Sequence, residues 1–387
     1  MYCASLNGIQ ILRQIRLDRW LRPLLEPHPK LLVAAKRVGA EGARIRHSIA
    51  ERAPSTIRPR PRQLTIAITA HCNLRCRGCR YGRDFMQDQQ LSLETVQQVL
   101  DDAAEGGVER VRFYGGEPLL HRDLPSMVRH ACDRGMRPYI TTNGTHLGRK
   151  IKPLYEAGLR LATVGFYGIG DRYDDYTGRR EHFRRLDESL AAVRAAYGTS
   201  FELQLNYVLI RETCNVADLE SAWAFATKHD MHFHVDLANY SAPFFVQAAE
   251  ADLQLKPDDL PRVQEVTRAM LALKRAEPAR FLHSVEFLRS VPDWLLKGPG
   301  MRVPCDAYEL LWIGADGTLQ LCDVALPLGN VNRQRLRDIL FSREHRQAAQ
   351  DGFQLNCPNC TCKVETRIQK HAASVRRYSK PLEGECA

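Results

Sequence analysis

From Leu64 to Leu237 six short apolar strands follow one another, separated by helical stretches. Strands are predicted at Leu64–Thr69, Val111–Tyr114, Pro138–Thr142, Leu161–Tyr167, Leu203–Ile210 and His232–Leu237. Helical spacing falls on Val96, Val99, Leu100 and Ala103, on 124–134, on Leu186, Leu190 and Val193, and on 216–229. Consecutive parallel strands need such crossovers, and these are right-handed, so the pattern predicts a parallel sheet covered by helices. Six units make three-quarters of an eight-stranded barrel. Functional groups are expected at the C-terminal ends of the strands.

The rest of the chain differs in style. Residues 1–62 carry eleven Arg and two Lys against four acids, which is +9 of the chain's net +10. Ile9, Leu12, Ile15, Leu17 and Leu21 recur at helical spacing between arginines, and a second helix is expected from near Lys30. Residues 54–63 read as a proline-rich linker. After helical residues 256–297, the apolar runs Leu310–Ile313 and Leu319–Cys322 flank Asp316-Gly317, a hairpin signal. The expected organisation is a basic helical arm and linker (1–62), a barrel (63–240), a helical connector (241–300) and a C-terminal hairpin-and-helix domain (301–387). No apolar run is long enough for a membrane helix. Arg13, Arg16, Arg19 and Arg22 interrupt the N-terminus, so no secretory signal is expected and the reading is cytoplasmic.

Six of the twelve cysteines fall in two tight groups, which suits metal or redox chemistry better than disulfides. Cys72, Cys76 and Cys79 have the spacing C-x3-C-x2-C directly after the first strand. Three thiolates can hold three irons of a cubane and leave the fourth iron open to a chelating amine and carboxylate; structural clusters usually take four cysteines. A single zinc ion would want a fourth ligand, and His71 adjoins Cys72 too closely to serve easily.

The triplet, its place after the first strand, and Gly115-Gly116-Glu117-Pro118 after the second resemble the radical S-adenosylmethionine (SAM) superfamily over roughly residues 64–240. The resemblance implies a 4Fe–4S cluster on Cys72, Cys76 and Cys79, and reductive cleavage of SAM to a hydrogen-abstracting 5′-deoxyadenosyl radical. It implies that Gly115, Gly116 and Glu117 contact the SAM amino group. Glycines let a backbone come close, and a carboxylate suits an ammonium. Thr142-Asn143-Gly144 resembles a third polar turn of the SAM site, and Asn206 on the fifth strand is a further candidate contact. Two positions depart from the family. Gly78 stands where an aromatic often precedes the third cysteine, with Tyr81 displaced, and Gly165-Phe166-Tyr167-Gly168 lacks a serine that often approaches SAM.

Cys305, the Gly317-x4-Cys322 hairpin and Cys357-Pro-Asn-Cys360-Thr-Cys362 resemble SPASM and twitch auxiliary-cluster domains. The cysteine count suits the shorter form. The resemblance implies a second 4Fe–4S cluster on Cys305, Cys322, Cys357 and Cys360, with Cys362 spare; zinc on the same thiolates is the plain alternative. Asp323 follows Cys322 directly, and in sulfatase-maturing relatives an aspartate beside the matching cysteine takes the substrate's proton. A turn-capping role is the alternative. The fold class expected is thus α/β, a partial (β/α)6 TIM-type barrel with a twitch/SPASM-like domain and an N-terminal helical arm.

The activity implied is that of a radical SAM oxidoreductase acting on a small molecule or lipid, its oxidation assisted by the auxiliary cluster. A peptide or protein maturase is the second enzyme reading, and a non-catalytic iron–sulfur or zinc protein is the reading from another class. No strand pattern occurs in residues 1–60, where many peptide-modifying relatives carry a recognition domain. A reducing donor such as flavodoxin or ferredoxin is implied, and no nucleic-acid partner is expected. The arginine-rich arm suits peripheral contact with an anionic membrane surface, or packing on the barrel with its charges in water.

Overall fold

The computed structural model describes residues 28–238, 241–245, 253–382 and 384–385. The first helix read in the basic arm, Cys3 and Cys386 lie outside them. The second helix is present as α1 (Pro29–Arg52), with proline in its first turn. Between α1 and β1 there is one short 3-10 turn, Pro54–Thr56, and no strand.

Six parallel strands follow: β1 (Gln63–Thr69), β2 (Arg110–Gly115), β3 (Arg137–Thr142), β4 (Leu161–Phe166), β5 (Glu202–Leu209) and β6 (His232–Leu237). They lie in sequential order, each hydrogen-bonded to the next. The crossovers carry α2 (Leu93–Glu105), α3 (Leu124–Asp133), α4 (Leu147–Glu156), α5 (Asp171–Thr177), α6 (His182–Tyr197) and α7 (Val216–Lys228). Polar caps start two of them: Ser92 accepts from Thr95 N at 3.0 Å and Asn215 from Asp218 N at 2.9 Å.

Alternation along each strand sorts the residues into two faces. Leu64, Ile66, Ile68, Val111, Phe113, Ile140, Val164, Leu203 and Leu205 point outward and pack under the helices as the main core. The inward set is mixed and more polar. Thr65, Arg112 and Tyr139 stand side by side on β1, β2 and β3, and Ala67 stands beside Tyr114.

Helices α8 (Leu260–Ala276) and α9 (Val285–Lys297) form the connector. The expected hairpin is β7 (Leu310–Ile313) and β8 (Thr318–Gln320), and a third strand, β9 (Pro327–Asn330), extends it. The hairpin does not stand apart from the barrel. Strand β7 pairs parallel with β1, Gln63–Ile66 against Leu310–Ile313, so one nine-stranded sheet runs through both regions. Helices α10 (Leu336–Ile339), α11 (Arg343–Gln354), α12 (Val364–Lys370) and α13 (Ala372–Tyr378) complete the chain.

The C-terminal half of α1 is packed on this last region. His47 Nε2 lies 2.8 Å from the Tyr308 hydroxyl, Ala50 is buried with Ala349 and Phe353, and Glu51 pairs with His371 at 3.0 Å. Leu31, Val38, Ile45 and Ile49 remain exposed on the same helix. Among the described residues no helix is long and apolar enough to cross a membrane.

Candidate functional site

Strand β1 ends at Thr69 and hands the chain to a loop carrying Cys72, Cys76 and Cys79, at the C-terminal end of the sheet. Two backbone bonds clamp this loop to the end of β2: Gly116 N donates to Thr69 O and Glu117 N to His71 O, each at 2.8 Å. The approach leaves no room for side chains. A Cβ on Gly115 would lie 2.3 Å from the Thr69 carbonyl oxygen, and one on Gly116 2.2 Å from that of His71. Gly115 also has a positive φ of 131°. The glycines therefore admit the cysteine loop itself.

Glu117 is fully buried. Its carboxylate accepts from Thr142 Oγ1 at 2.7 Å, Asn143 N at 2.8 Å and Leu119 N at 3.0 Å. Burial pushes its pKa up to about 7, against the pull of those bonds. Asn143 in turn donates to Asn73 Oδ1 at 2.9 Å, inside the cysteine loop. Glu117, Thr142, Asn143 and the loop thus form one connected polar unit. Asn206 is separate from it. It stands on the lumen face of β5 between Gly165 and His234 and accepts from Gln204 at 2.7 Å.

The three thiols are partly buried and within electrostatic reach of one another. Burial pushes Cys72 up to about 12, helped by Glu117 and Cys79, and raises Cys76 and Cys79 as well. Three thiolates kept there need positive charge brought in with them, which a metal cluster supplies. His71, the neighbour of Cys72 that could serve as a fourth zinc ligand, is exposed.

The aromatic missing at Gly78 is supplied from elsewhere. Phe245, in the segment after β6, lies across Gly78; a Cβ there would meet its ring at 2.3 Å. The segment pairs with the loop through Cys79 and Phe245, and Arg80 N donates to Phe244 O at 2.8 Å. Tyr167 and Tyr176 stack at 4.1 Å beside Cys76. The sequence reading missed these contacts. The signal was there in Pro243-Phe244-Phe245, an apolar run in a polar connector, facing a glycine.

The second group is built from three separated segments. Cys305 precedes β7, Cys322 follows β8, and Cys357, Cys360 and Cys362 follow α11. Thr361 donates to the Leu237 and Ala238 carbonyls, each at 3.2 Å, which places this loop at the C-terminal end of β6. The structure brings the thiols of Cys305, Cys322, Cys360 and Cys362 into mutual electrostatic contact. Cys357 is half-buried three residues upstream. Burial pushes Cys305 up to about 12. Cys362, left spare in the sequence reading, has its sulfur 3.5 Å from the Asp323 carboxylate.

Buried charges hold this region. Arg367 is fully buried and donates to Val303 O at 2.6 Å, Cys360 O at 2.8 Å and Asn359 Oδ1 at 3.0 Å. Lys370 pairs with Asp306 and Glu309 at 2.7 Å each. Burial opposes the charge on Asp306, but Lys363 and Lys370 hold its pKa well below the usual range. Cys214 is buried in the barrel core, and Cys132 is half-buried at its edge.

Between the two cysteine groups the lumen holds a cluster of Tyr81, Tyr114, Trp312 and Ala67. The Trp312 indole N–H donates to the Tyr114 hydroxyl. Burial raises the Tyr81 phenol far above its ordinary value, and Cys79 and Asp323 both add to the effect.

Both regions match domains of known families. The radical SAM superfamily model matches residues 66–214, and the SPASM iron–sulfur cluster-binding domain model matches 305–362. A GTP 3′,8-cyclase of Acidothermus cellulolyticus is 35% identical over 206 residues, which are 49% of this chain and 56% of that protein. An Fe-coproporphyrin III synthase of Methanosarcina barkeri is 32% identical over 154 residues, 39% of this chain and 37% of that protein. The chain spans about half the length, or less, of these relatives. Streptococcus suis SuiB bound to precursor peptide SuiA has a similar fold, with TM-score 0.59 and 15% identity over 90% of this chain and 77% of that one. So does anSMEcpe with bound AdoMet and Cp18Cys peptide, with TM-score 0.58 and 14% identity over 82% and 96%. Both likenesses are of fold.

Proposed function

From a chain that joins a radical SAM domain to an SPASM iron–sulfur domain, we propose an enzyme that removes hydrogen from a substrate held in the barrel lumen and leaves it oxidised. The first domain implies a 4Fe–4S cluster with SAM, and the second implies auxiliary iron–sulfur binding. We assign the first cluster to Cys72, Cys76 and Cys79. When bound, these groups would supply the means of hydrogen abstraction and an electron acceptor.

The chain's own residues do the rest. Glu117 ties the turn at Thr142 and Asn143 to the loop of Cys72, so Gly115, Gly116 and that turn form one wall for the SAM amino acid. Phe245 and the Tyr167–Tyr176 pair cover the loop and keep water from it. Tyr81, Tyr114 and Trp312 line the passage toward the second group. Asp323 accepts the substrate proton at its carboxylate.

The supporting observation is the position of Asp323. Its carboxylate lies at 3.5 Å from Cys362, and its charge is felt at Tyr81 and Tyr114. A turn cap alone would not account for its place beside Cys362 and within electrostatic reach of Tyr81 and Tyr114. The test is anaerobic incubation of reconstituted protein and SAM with GTP, coproporphyrin and short peptides as trial substrates. The expected outcome is 5′-deoxyadenosine together with a product lighter by a pair of hydrogens. Asp323→Asn should keep both clusters and slow product formation steeply, since an amide cannot take the proton. A redox-neutral product or an adenosyl adduct overturns the oxidative reading. Iron should approach about eight atoms per chain, and alanine at Cys72, Cys76 or Cys79 should abolish SAM cleavage. Spacing and proximity nominate different fourth ligands for the second group: Cys357→Ala and Cys362→Ala distinguish them by which one loses its iron.

A further inference from the structure

We propose that the outward face of α1 is a docking surface for an anionic lipid bilayer, which takes its apolar stripe among the acyl chains and its arginines at the headgroups. The proposal is independent of the reaction read above. It is carried by a helix that is packed on one side and left bare and apolar on the other.

Leu31, Val38, Ile45 and Ile49 are each more than half exposed. They make up half of the large apolar side chains exposed among the described residues. Single apolar residues scattered over a surface need no explanation, but a row of them on one helix does. At 3.6 residues per turn the four lie within about 40° of one another, in one stripe along α1. The stripe runs opposite the face on which His47, Ala50 and Glu51 meet Tyr308, Phe353 and His371. Those contacts fix the helix on the body and hold the stripe outward. Among the described residues no helix crosses a membrane, so docking lies in the plane of the surface.

Charge identifies the occupant. Residues 29–52 carry six basic side chains against Glu41 and Glu51. Arg37 and Arg52 are exposed to one side of the stripe and Arg46 to the other. Glu41 is taken up by Arg44 at 2.8 Å, and Glu51 by His371 at 3.0 Å. A second copy of this chain would bring the same charge to the contact, since residues 1–62 hold +9 of the net +10. Residues 1–27 are basic too, with Arg13, Arg16, Arg19 and Arg22 against Asp18 and Glu26. Either occupant would meet repulsion. An anionic bilayer turns the same charges into attraction, and each basic residue near its surface adds to binding. Arginine stems lie along apolar surface while their heads reach the phosphates. The stripe is one side chain wide, so it needs the charges, and the charges without an apolar anchor would be released by salt.

The test is flotation of the full-length reconstituted protein with vesicles of phosphatidylglycerol and, separately, of phosphatidylcholine, at low and at high ionic strength. Wild type should float with phosphatidylglycerol, stay behind with phosphatidylcholine, and lose part of its binding as salt is raised. Val38→Ser combined with Ile45→Ser, with iron content and circular dichroism unchanged, should weaken the partitioning at least about tenfold. Arg37→Gln combined with Arg52→Gln should weaken it less and flatten the salt dependence. Should the serine pair disturb the fold, Leu31→Ser, far along the helix from the contacts with Tyr308, carries the comparison with a smaller loss. Absence of flotation by wild type, equal flotation with both lipids, or undiminished binding by a folded serine variant overturns the proposal. A concentration-dependent dimer in light scattering that the serine pair abolishes also overturns it, by assigning the stripe to a second copy. No turnover is measured, so a redox-neutral product would remove the oxidative reading and leave the docking surface standing.

Discussion

The two cysteine groups hold their thiols in place by opposite means. The first sits on one short loop, clamped by backbone bonds and by glycines that let two strands' ends meet. The second collects thiols from segments more than fifty residues apart, between Cys305 and Cys362, and holds them with buried charge. A local site needs close approach. A dispersed one needs contacts that tie its segments together, and here Arg367 links Val303 to Asn359 and Cys360 while Lys370 reaches Asp306 and Glu309. Damage to each should therefore have a different character.

Arg367→Ala is expected to have the largest effect. It leaves the Val303 and Cys360 carbonyls and Asn359 Oδ1 without their donor. A loss of about 3 kcal/mol or more is expected by thermal or denaturant unfolding. Iron should leave the second site while the first still cleaves SAM. A loss below about 1 kcal/mol would mean that the thiols, not the arginine, organise this region. Gly116→Ala probes the other side, since its new Cβ would meet backbone, which yields less readily than a side chain. A cost of about 1–3 kcal/mol is expected, with iron lost from the first site only. Full iron content in that variant would show the clamp to be dispensable.

Acidity separates the two regions by sign. Glu117 has its folded pKa raised to about 7 from 4.5. Its contribution is therefore greatest below the unfolded value and is lost as pH rises from 4.5 to about 7. The slope is at most about 1.4 kcal/mol per pH unit, and Glu117→Gln should flatten it. Asp306 is shifted the other way, so its contribution is present above its unfolded value of 3.8 and is lost as pH falls below that. Hydrogen exchange of SAM-free protein, followed residue by residue across these pH values, should show the first region loosening toward neutrality and the second toward acid. The same trend in both would break the distinction.

This difference also explains what could be read from the sequence. The six strands and the first cysteine triplet follow local rules, period-two apolar runs and a spacing within eight residues, and the observed strands agree within about a residue. Helix α4 went unread because Arg149, Lys150, Lys152 and Pro153 obscure a stripe of Leu147, Ile151 and Leu154. Strand β9 is four residues long and gains its partner only through the hairpin. The contacts of Phe245 with Gly78, of Asp323 with Cys362 and of Arg367 with three oxygens join segments far apart, and no local pattern encodes them. The residue types at the site were legible, and the long-range pairings that give them their environment were not.

The pairing of β7 with β1 also has a consequence for how the chain is made. Without β7, the Gln63–Ile66 backbone would present an open row of donors and acceptors, a template for pairing with another chain. In the finished sheet that row is covered, and the outer strand β9 begins with Pro327, which has no N–H to offer. During synthesis the cover arrives late, since Leu310 follows Gln63 by well over two hundred residues. At about 5–20 residues per second this leaves β1 uncovered for roughly ten to fifty seconds on the ribosome. Yield of soluble protein should therefore depend on translation speed and on holding chaperones more than on the stability of the finished fold.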